Sequence, residues 1–289
     1  MKSIFIATLA LLLFSCAAIA GDAPVCNGSA GLCDRRYNEV TFAGAHNAMS
    51  CADQGWSLPN HARCIADMLE YGIRAINIDI YFRHNRIFMC HGYCELGNRP
   101  LVDALREIRA FMESNPGEIV TINFQNGAWG HPADVDFIEA GLDEFALAKP
   151  EGEQWPTLGE MVSSGKRLVV FGAGSEQPWD LDPGSHIWES PYAFPSVDRF
   201  ECGTAREQPI YLLNHFVERP MPAAVLSRRA NKKSVIMHRA LGCWNETGRK
   251  PNIILFDYAC LGDTVAAVDA LNTISASEVP AILEKLDTR

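Results

Sequence analysis

The sequence has no excess of positive charge. Among its 289 residues, 25 lysines and arginines stand against 35 aspartates and glutamates, and the formal net charge is −10. Proteins that bind nucleic acids need basic residues to neutralise phosphates, and a basic surface also attracts a protein to anionic membranes. The composition therefore argues against a nucleic-acid partner and against an electrostatic grip on membranes. A substrate phosphate would have to be met by a few local groups.

Three sequence signatures are also missing. There is no C-x-x-C pair of the kind that binds zinc, and no G-x-S-x-G elbow of the kind that carries the nucleophile of a serine hydrolase. No internal repeat or low-complexity linker divides the chain, and after the first residues no stretch is apolar enough for a membrane helix. An undivided chain of this length suits one large α/β barrel better than two small domains.

The first residues predict a secretion signal. Met1-Lys2 are followed by an apolar run at residues 4–14 and by small residues up to Ala20. A charged start, an apolar core and an A-x-A exit are typical of a signal peptide, here 1–20, so 21–289 would form the secreted chain. A lipoprotein acylated at Cys16 is the alternative, but the bulky Phe14 near that site disfavours it.

The cysteines beyond residue 20 predict disulfides, because an exported chain folds in an oxidising compartment. Their spacing favours the pairs Cys26–Cys33, Cys51–Cys64, Cys90–Cys94 and Cys202–Cys243. Cys260 is then left over.

Short apolar, β-branched segments alternate with longer helical patterns, which predicts βα units around a mostly parallel sheet. The predicted strands are residues 39–45, 75–82, 87–90, 119–124, 167–171, 210–214 and 253–258, with a weaker one at 234–238. The predicted helices are residues 62–71, 101–114, 133–148, 222–230, 264–272 and 278–286. Residues 172–206 are predicted as long loops. We therefore expect a single, somewhat irregular TIM-type (β/α)8 barrel of the α/β class, stabilised by disulfides.

Polar side chains with chemical capacity fall at the carboxyl ends of these strands. They are His46 and Asn47 after the first strand, Asn77 and Asp79 in the second, His91 after the third, Gln125 after the fourth and Asp257 at the end of the last. In a parallel barrel such ends share one mouth, so residues far apart in the chain can converge there.

Two imidazoles that face one phosphate can act as an acid–base pair. One accepts the proton of an attacking hydroxyl and the other protonates the leaving oxygen, and the pKa of histidine suits both roles near neutral pH. Asp257 is the candidate for a carboxylate that fixes the tautomer of the base. We interpret the histidines in loops as solvated; these are His61, His84, His131, His186 and His238. Asn214 ends a further strand and is either part of a substrate wall or structural.

Several segments resemble the phospholipase C X domain, and especially its secreted, cysteine-rich branch of phospholipase C-like phosphodiesterases. Residues 33–47 (C-D-R-R-Y-N-E-V-T-F-A-G-A-H-N) resemble the opening strand, residues 72–79 (G-I-R-A-I-N-I-D) the second strand and residues 89–94 (M-C-H-G-Y-C) the second-histidine motif. Residues 115–121, 251–258 and 261–263 are similar to later parts. The resemblance covers nearly the whole chain after residue 20 and implies a TIM barrel of the phosphatidylinositol-specific phospholipase C superfamily.

The resemblance implies a phosphodiesterase in which His46 is the general base, His91 is the general acid and Asp257 supports the base. The inositol 2-hydroxyl would attack the phosphodiester and release diacylglycerol and a cyclic phosphate. We expect Arg74 and Asn214 to contact the substrate, a phospholipid or another phosphodiester. A phospholipid substrate would bring the protein into transient contact with a membrane surface.

The same resemblance raises the question of calcium. The calcium-dependent branch binds Ca²⁺ through residues that match Asn47, Asn77, Asp79 and, less closely, Gln125, whereas calcium-independent bacterial relatives have an arginine at the position of Asp79. A cation held by one carboxylate and neutral oxygens should bind weakly. We therefore predict a weak Ca²⁺ site completed by the substrate phosphate, and no other cofactor. Without a cation, Arg74 or Arg83 would neutralise the phosphate.

Alternative functions remain open at this point. The strand at residues 167–173 lacks the basic residue that bacterial enzymes use against the inositol ring, so glycosylated inositol lipids and lysophospholipids are also candidate substrates. One alternative is an inactive secreted barrel that binds a ligand or partner. The other is a glycerophosphodiesterase or a barrel of the phospholipase D type.

Overall fold

The computed structural model describes residues 25–126, 128, 130–192, 194–218 and 223–288. The predicted signal peptide and Cys16 lie outside these residues, so the boundary at Ala20 stays a prediction. None of the described helices is long and apolar enough to span a bilayer.

The strands in the described part of the chain form a curled sheet. They are β1 (Phe42–Ala45), β2 (Ala75–Arg83), β3 (Arg86–Met89), β4 (Arg99–Pro100), β5 (Val120–Asn126), β6 (Leu168–Phe171), β7 (Asp180–Leu181), β8 (Ile187–Glu189), β9 (Ile210–Asn214) and β10 (Ile253–Phe256). Eight of them pair in parallel in the order β7-β6-β5-β2-β1-β10-β9-β8. Within the described residues no ladder joins β7 to β8, so the barrel is open on that side. This is the predicted α/β barrel of TIM type, in an irregular form.

Helices cover the outside of the sheet. They are α1 (Ile65–Tyr71), α2 (Leu101–Ser114), α3 (Asp134–Ala140), α4 (Leu158–Ser164), α5 (Pro183–His186), α6 (Ala224–Ala230), α7 (Lys233–Thr247), α8 (Thr264–Asn272) and α9 (Val279–Asp287). The predicted bounds of α2 and α8 are confirmed. In α2 the residues Leu101, Leu105, Ile108 and Met112 recur at helical spacing and are fully buried against the sheet.

Four predicted segments differ from the structure. The predicted strand at 87–90 is present as β3, but it pairs antiparallel with β2 in a hairpin and is not a barrel strand. The weak strand at 234–238 lies within α7, where Ile236 and Ala240 are buried at helical spacing. The predicted helix at 133–148 is too long, because Gly141 adopts φ 65° and ends α3. The predicted loops at 172–206 contain the short strands β7 and β8.

Alternate side chains of each strand point into the barrel. Phe42, Phe171 and Leu255 lie in a buried interior cluster, which Tyr37 and Trp155 close beside the amino ends of the strands. Because this lower layer is apolar and filled, the polar residues that follow it along the strands are left at the carboxyl-end mouth.

The predicted disulfides are all present. Cys26–Cys33 and Cys51–Cys64 close loops before and after β1, Cys90–Cys94 closes the loop after β3, and Cys202–Cys243 ties the loop after β8 to α7. Cys260 is free and partly buried. The cross-links therefore fall mainly on loops around the barrel mouth.

Gly44 allows β1 to approach its neighbours closely, directly below His46. A Cβ atom at Gly44 would lie 2.6 Å from Cδ2 of Leu255 and 3.1 Å from Cβ of Ala75.

We expect Gly44→Ala to lower the free energy of unfolding by about 1–3 kcal/mol through overpacking. The control is Gly242→Ala inside α7, where a Cβ atom meets nothing within 4 Å. This substitution should raise the free energy of unfolding by at most about 1 kcal/mol, because alanine favours the helix more than glycine does. Urea unfolding checks both; equal stability of Gly44→Ala and wild type would contradict the prediction.

Candidate active site

His46 and Asp257 are brought together by two adjacent parallel strands. In the β1–β10 ladder Ala45 lies opposite Phe256, so the residues that follow the two strands are neighbours. Nδ1 of His46 lies 3.0 Å from Oδ1 of Asp257, and both side chains are largely buried. A carboxylate can only accept, so Nδ1–H donates and Nε2 keeps its lone pair. This is the arrangement that a general base requires.

Two further contacts hold the ring of His46. Phe216 stacks on it with ring centroids 3.8 Å apart and an interplanar angle of 4°. Nδ2 of Asn47 lies 3.1 Å from Nε2 of His46. The orientation of the imidazole is therefore fixed by a carboxylate at one nitrogen, an amide at the other and an aromatic ring against its face.

A second histidine–carboxylate pair lies beside the first. Nδ1 of His91 is 2.9 Å from Oδ2 of Asp79. The hairpin brings His91 to this position, because β3 runs back along β2 and the amide of Cys90 donates to the carbonyl of Asp79 at 3.3 Å. The hydrogen bond that Nδ1–H of His91 donates to Asp79 is the main reason that the pKa of His91 is raised, and burial only partly opposes it. The charges of Asp257 and Glu218 raise the pKa of His91 further.

The two pairs share one mouth but differ in exposure. The side chain of His46 is 13% exposed, whereas that of His91 is 47% exposed. Strand alternation directs His46 and Asp79 to the barrel interior, and β1 and β2 are paired neighbours. The structure thus brings together the three residues of the predicted acid–base machinery and Asp79, which was predicted as a calcium ligand.

Two of the predicted calcium ligands, Asn77 and Asp79, are engaged with protein groups, whereas Oδ1 of Asn47 is buried and meets no donor among the described residues. Oδ1 of Asn77 accepts from the amide of Asn47 at 3.2 Å, and its Nδ2 donates to the carbonyl of Asn123 at 3.3 Å. Asp79 is bonded to His91, while Gln125, opposite Asp79 in the β2–β5 ladder, is exposed. In the described part of the chain no three His, Cys, Asp or Glu residues cluster in a way that could hold a metal. One engaged carboxylate with neutral amides fits a resident Ca²⁺ poorly.

The prediction that Arg74 contacts the substrate is wrong. Arg74 precedes β2 and lies at the amino end of the barrel, opposite the mouth. Its Nε donates to Glu118 at 2.7 Å, and its Nη1 donates to the carbonyls of Leu69 and Ile73. Arg83, the other candidate, pairs with Glu95 near the exposed tip of the hairpin.

Asn214 does lie at the mouth, at the carboxyl end of β9. Its Nδ2 donates to Oε2 of Glu189 at 3.0 Å and to the carbonyl of Ser190 at 2.9 Å. The amide therefore orients Glu189, an exposed carboxylate at the end of β8. Whether this pair contacts a substrate stays a prediction.

Several site residues were missed in the sequence. His61 was interpreted as solvated, but it is buried, and burial lowers its pKa to about 4. Nδ2 of Asn60, which was not predicted as a site residue, donates to Oδ1 of Asp257 at 2.9 Å. Phe216 could have been found, because it follows Asn214 by two positions and so continues the inward face of β9. For Asn60 and His61 the available signal was their position inside the loop closed by Cys51–Cys64.

The comparisons with known proteins agree with this geometry. A family model described as PI-PLC X 1 matches residues 32–272. The PI-PLC X domain-containing protein 1 of Arthroderma benhamiae is 28% identical over 280 residues, 86% of this chain and 89% of the relative. A second protein of that organism, named as an uncharacterized secreted protein, is 27% identical over 84% of this chain and 62% of its own length.

A solved structure has the same fold. The phosphatidylinositol-specific phospholipase C from Listeria monocytogenes superposes with a TM-score of 0.55 at 16% identity, over 83% of this chain and 95% of that chain. A sequence identity this low shows only that the two chains share a fold. The family match, which spans most of the chain, decides the assignment: the protein belongs to the PI-PLC X family.

Proposed function

We propose that this protein is a secreted phosphodiesterase of the phospholipase C type that cleaves a phosphoinositide-like phosphodiester. The observation that carries the proposal is the presence of two imidazoles at one barrel mouth, each bonded through Nδ1 to its own carboxylate. Secretion is supported by the disulfides around the mouth and by the relative whose name describes it as secreted.

His46 acts as the general base. The substrate hydroxyl has to replace Nδ2–H of Asn47 at Nε2 of His46. Nε2 then accepts the proton of the inositol 2-hydroxyl while the oxygen forms a bond to phosphorus. The imidazolium that results is stabilised by the buried carboxylate of Asp257, to which Nδ1–H already donates. Because that carboxylate is fixed before substrate arrives, little reorganisation accompanies the proton transfer.

His91 acts as the general acid. The hydrogen bond to Asp79 raises the pKa of His91, which favours the imidazolium form that a general acid requires. As the bond between phosphorus and the diacylglycerol oxygen breaks, Nε2–H of His91 protonates that oxygen, and the products are diacylglycerol and a cyclic phosphate. The half-exposed ring also supplies positive charge close to the phosphate. No step passes through a cation, because the donor set fits one poorly.

The lipid would reach the site from a membrane surface. Tyr93 follows His91 by two residues and is 75% exposed. An aromatic side chain that is apolar with a polar tip suits the interface between water and lipid. This contact would be transient, since the chain is acidic overall.

Single replacement of either histidine tests the acid–base assignment. We expect His46→Ala and His91→Ala each to lower kcat by about 10²–10⁴-fold, because each removes one proton transfer. His238→Ala is the matched control, since His238 is exposed on α7 and bonded to Asp287; it should keep full activity. Retained turnover in the His46 and His91 variants would contradict the assignment.

Product analysis tests the reaction type. Phosphorus NMR on phosphatidylinositol, a glycosylated inositol lipid, lysophospholipids and a glycerophosphodiester should show a cyclic phosphate from an inositol lipid. Glycerophosphate or a free alcohol would instead indicate attack by water, as in a glycerophosphodiesterase or a barrel of the phospholipase D type. A wild type that converts none of these substrates would indicate a binding protein.

Asp79→Asn separates support of the acid from calcium binding. The variant weakens the hydrogen bond that raises the pKa of His91, so His91 loses its proton at lower pH. We expect the high-pH limb of the kcat/KM profile of this variant to move to lower pH. Addition of Ca²⁺ should not move that limb back. In the wild type, chelation should leave kcat unchanged. Loss of activity on chelation, or rescue of Asp79→Asn by millimolar Ca²⁺, would support the predicted calcium site instead.

A further inference from the structure

Asn60 contacts the carboxylate that orients the proposed base. Its Nδ2 lies 2.9 Å from Oδ1 of Asp257, the same oxygen that accepts from Nδ1 of His46 at 3.0 Å. Asn60 is 1% exposed and lies in the loop after β1, far from Asp257 in the chain. One carboxylate oxygen is thus shared between the base and a buried amide.

The amide of Asn60 is oriented by this contact. A flipped side chain would place Oδ1 against the carboxylate, and two acceptors repel each other. Oδ1 is buried and meets no donor among the described residues. The side chain of Asn60 therefore makes its hydrogen bond to Asp257 although this orientation leaves its own Oδ1 without a partner.

The main chain around Asn60 leaves it little freedom. Its N–H donates to Oγ of Ser50 at 3.3 Å, and its carbonyl accepts from the amide of Tyr258 at 2.7 Å. Tyr258 directly follows Asp257, so Asn60 contacts the strand end at both its backbone and the carboxylate. The two contacts fix the position and the rotation of Asp257 together.

His61 joins the same turn to both strand ends. Its Nε2 donates to the carbonyl of His46 at 2.7 Å, and its Nδ1 accepts from the amide of Ala259 at 3.3 Å. This pattern requires a neutral ring with the proton on Nε2, which agrees with the pKa of about 4 that burial imposes. His61 therefore holds the turn in place across the ends of β1 and β10.

The turn is closed independently of any substrate. Cys51–Cys64 bridges the loop, and the amide of His61 donates to the carbonyl of Ser50 at 3.0 Å. The amide of Ala52 donates back to the carbonyl of His61 at 2.9 Å. The loop therefore presents Asn60 to Asp257 in a preorganised form.

We infer that Asn60 is a positioning residue for catalysis: its amide holds the carboxylate of Asp257 so that His46 keeps its proton on Nδ1 and turns Nε2 toward the attacking hydroxyl. The inference rests on the proposed function, since it assigns Asn60 to the base of that reaction. Without the amide, the carboxylate can rotate, and the fraction of His46 with the reactive nitrogen unprotonated falls.

The test compares two buried asparagines. Asn60→Ala should lower kcat by about 10- to 100-fold, the usual effect of removing a group that orients a functional side chain, with KM changed less than about twofold because Asn60 does not touch the substrate. Asn252→Ala is the control. Asn252 is equally buried and bonds the amide of Tyr211 and the carbonyl of Val40, away from the mouth. It should lower the unfolding midpoint and leave kcat unchanged.

Nitrogen-15 NMR of the histidines gives a readout that needs no substrate. Wild-type His46 should show a protonated Nδ1 and an unprotonated Nε2, and Asn60→Ala should show exchange between the two tautomers. If Asn60→Ala does not fold, Asn60→Leu, which has a similar size and lacks the N–H donor, replaces it and should lower kcat at least as much.

Two results would overturn the inference: kcat within twofold of wild type in the folded Asn60 variant, or a His46 tautomer that the substitution leaves unchanged. A wild type without activity on any phosphodiester would contradict the proposed function alone. In that case the tautomer measurement still decides whether Asn60 controls His46.

Discussion

The site depends on the parallel register of three adjacent strands. Ala45 at the end of β1 lies opposite Phe256 at the end of β10 and opposite Ile76 in β2. Asp257, His46 and Asp79 therefore all face the mouth although they come from distant parts of the chain. A slip of one residue in either ladder would turn one of these side chains out of the barrel. Close packing below the site, where Gly44 leaves room for Leu255 and Ala75, holds this register. The chemistry at the mouth is thus a consequence of packing in the layer beneath it.

The two histidine–carboxylate pairs have the same bond and different surroundings. Asp257 is buried and accepts a hydrogen bond from the amide of Asn60. The ring of its partner His46 is covered on one face by Phe216. Asp79 carries a ring that remains half open to solvent. A base that must accept a proton in one direction benefits from rigidity, whereas an acid that meets a bulky lipid oxygen needs access. The division of roles proposed for the two histidines follows from this difference.

Much of the barrel could be predicted because apolar strands and amphipathic helices carry their own periodicity. The bounds of α2, α8 and β9 were found from pattern alone, and His46, His91 and Asp257 were found from their place at strand ends. Segment 87–90 was misassigned to the barrel, although the gap from the preceding strand is too short for the crossover that parallel strands need. β7 and β8 are two and three residues long, which is too short for any period to show. The contacts of Asn60 and His61 depend on a loop that folds back across the chain, and no local pattern encodes such a contact.

The β2–β3 hairpin has a consequence for how relatives with this architecture could diverge. The proposed base and acid are carried by different kinds of structure: His46 follows a barrel strand, while His91 follows an arm that projects from the barrel and returns. Adding one residue to each strand of that arm would leave the barrel intact and keep His91 at the same level. Adding two residues to the returning strand alone would carry His91 about 7 Å along the sheet, beyond the reach of a phosphate held by His46. The arm can therefore vary in how far it projects over the mouth, and so in the space it leaves there, only through changes that are matched on its two strands.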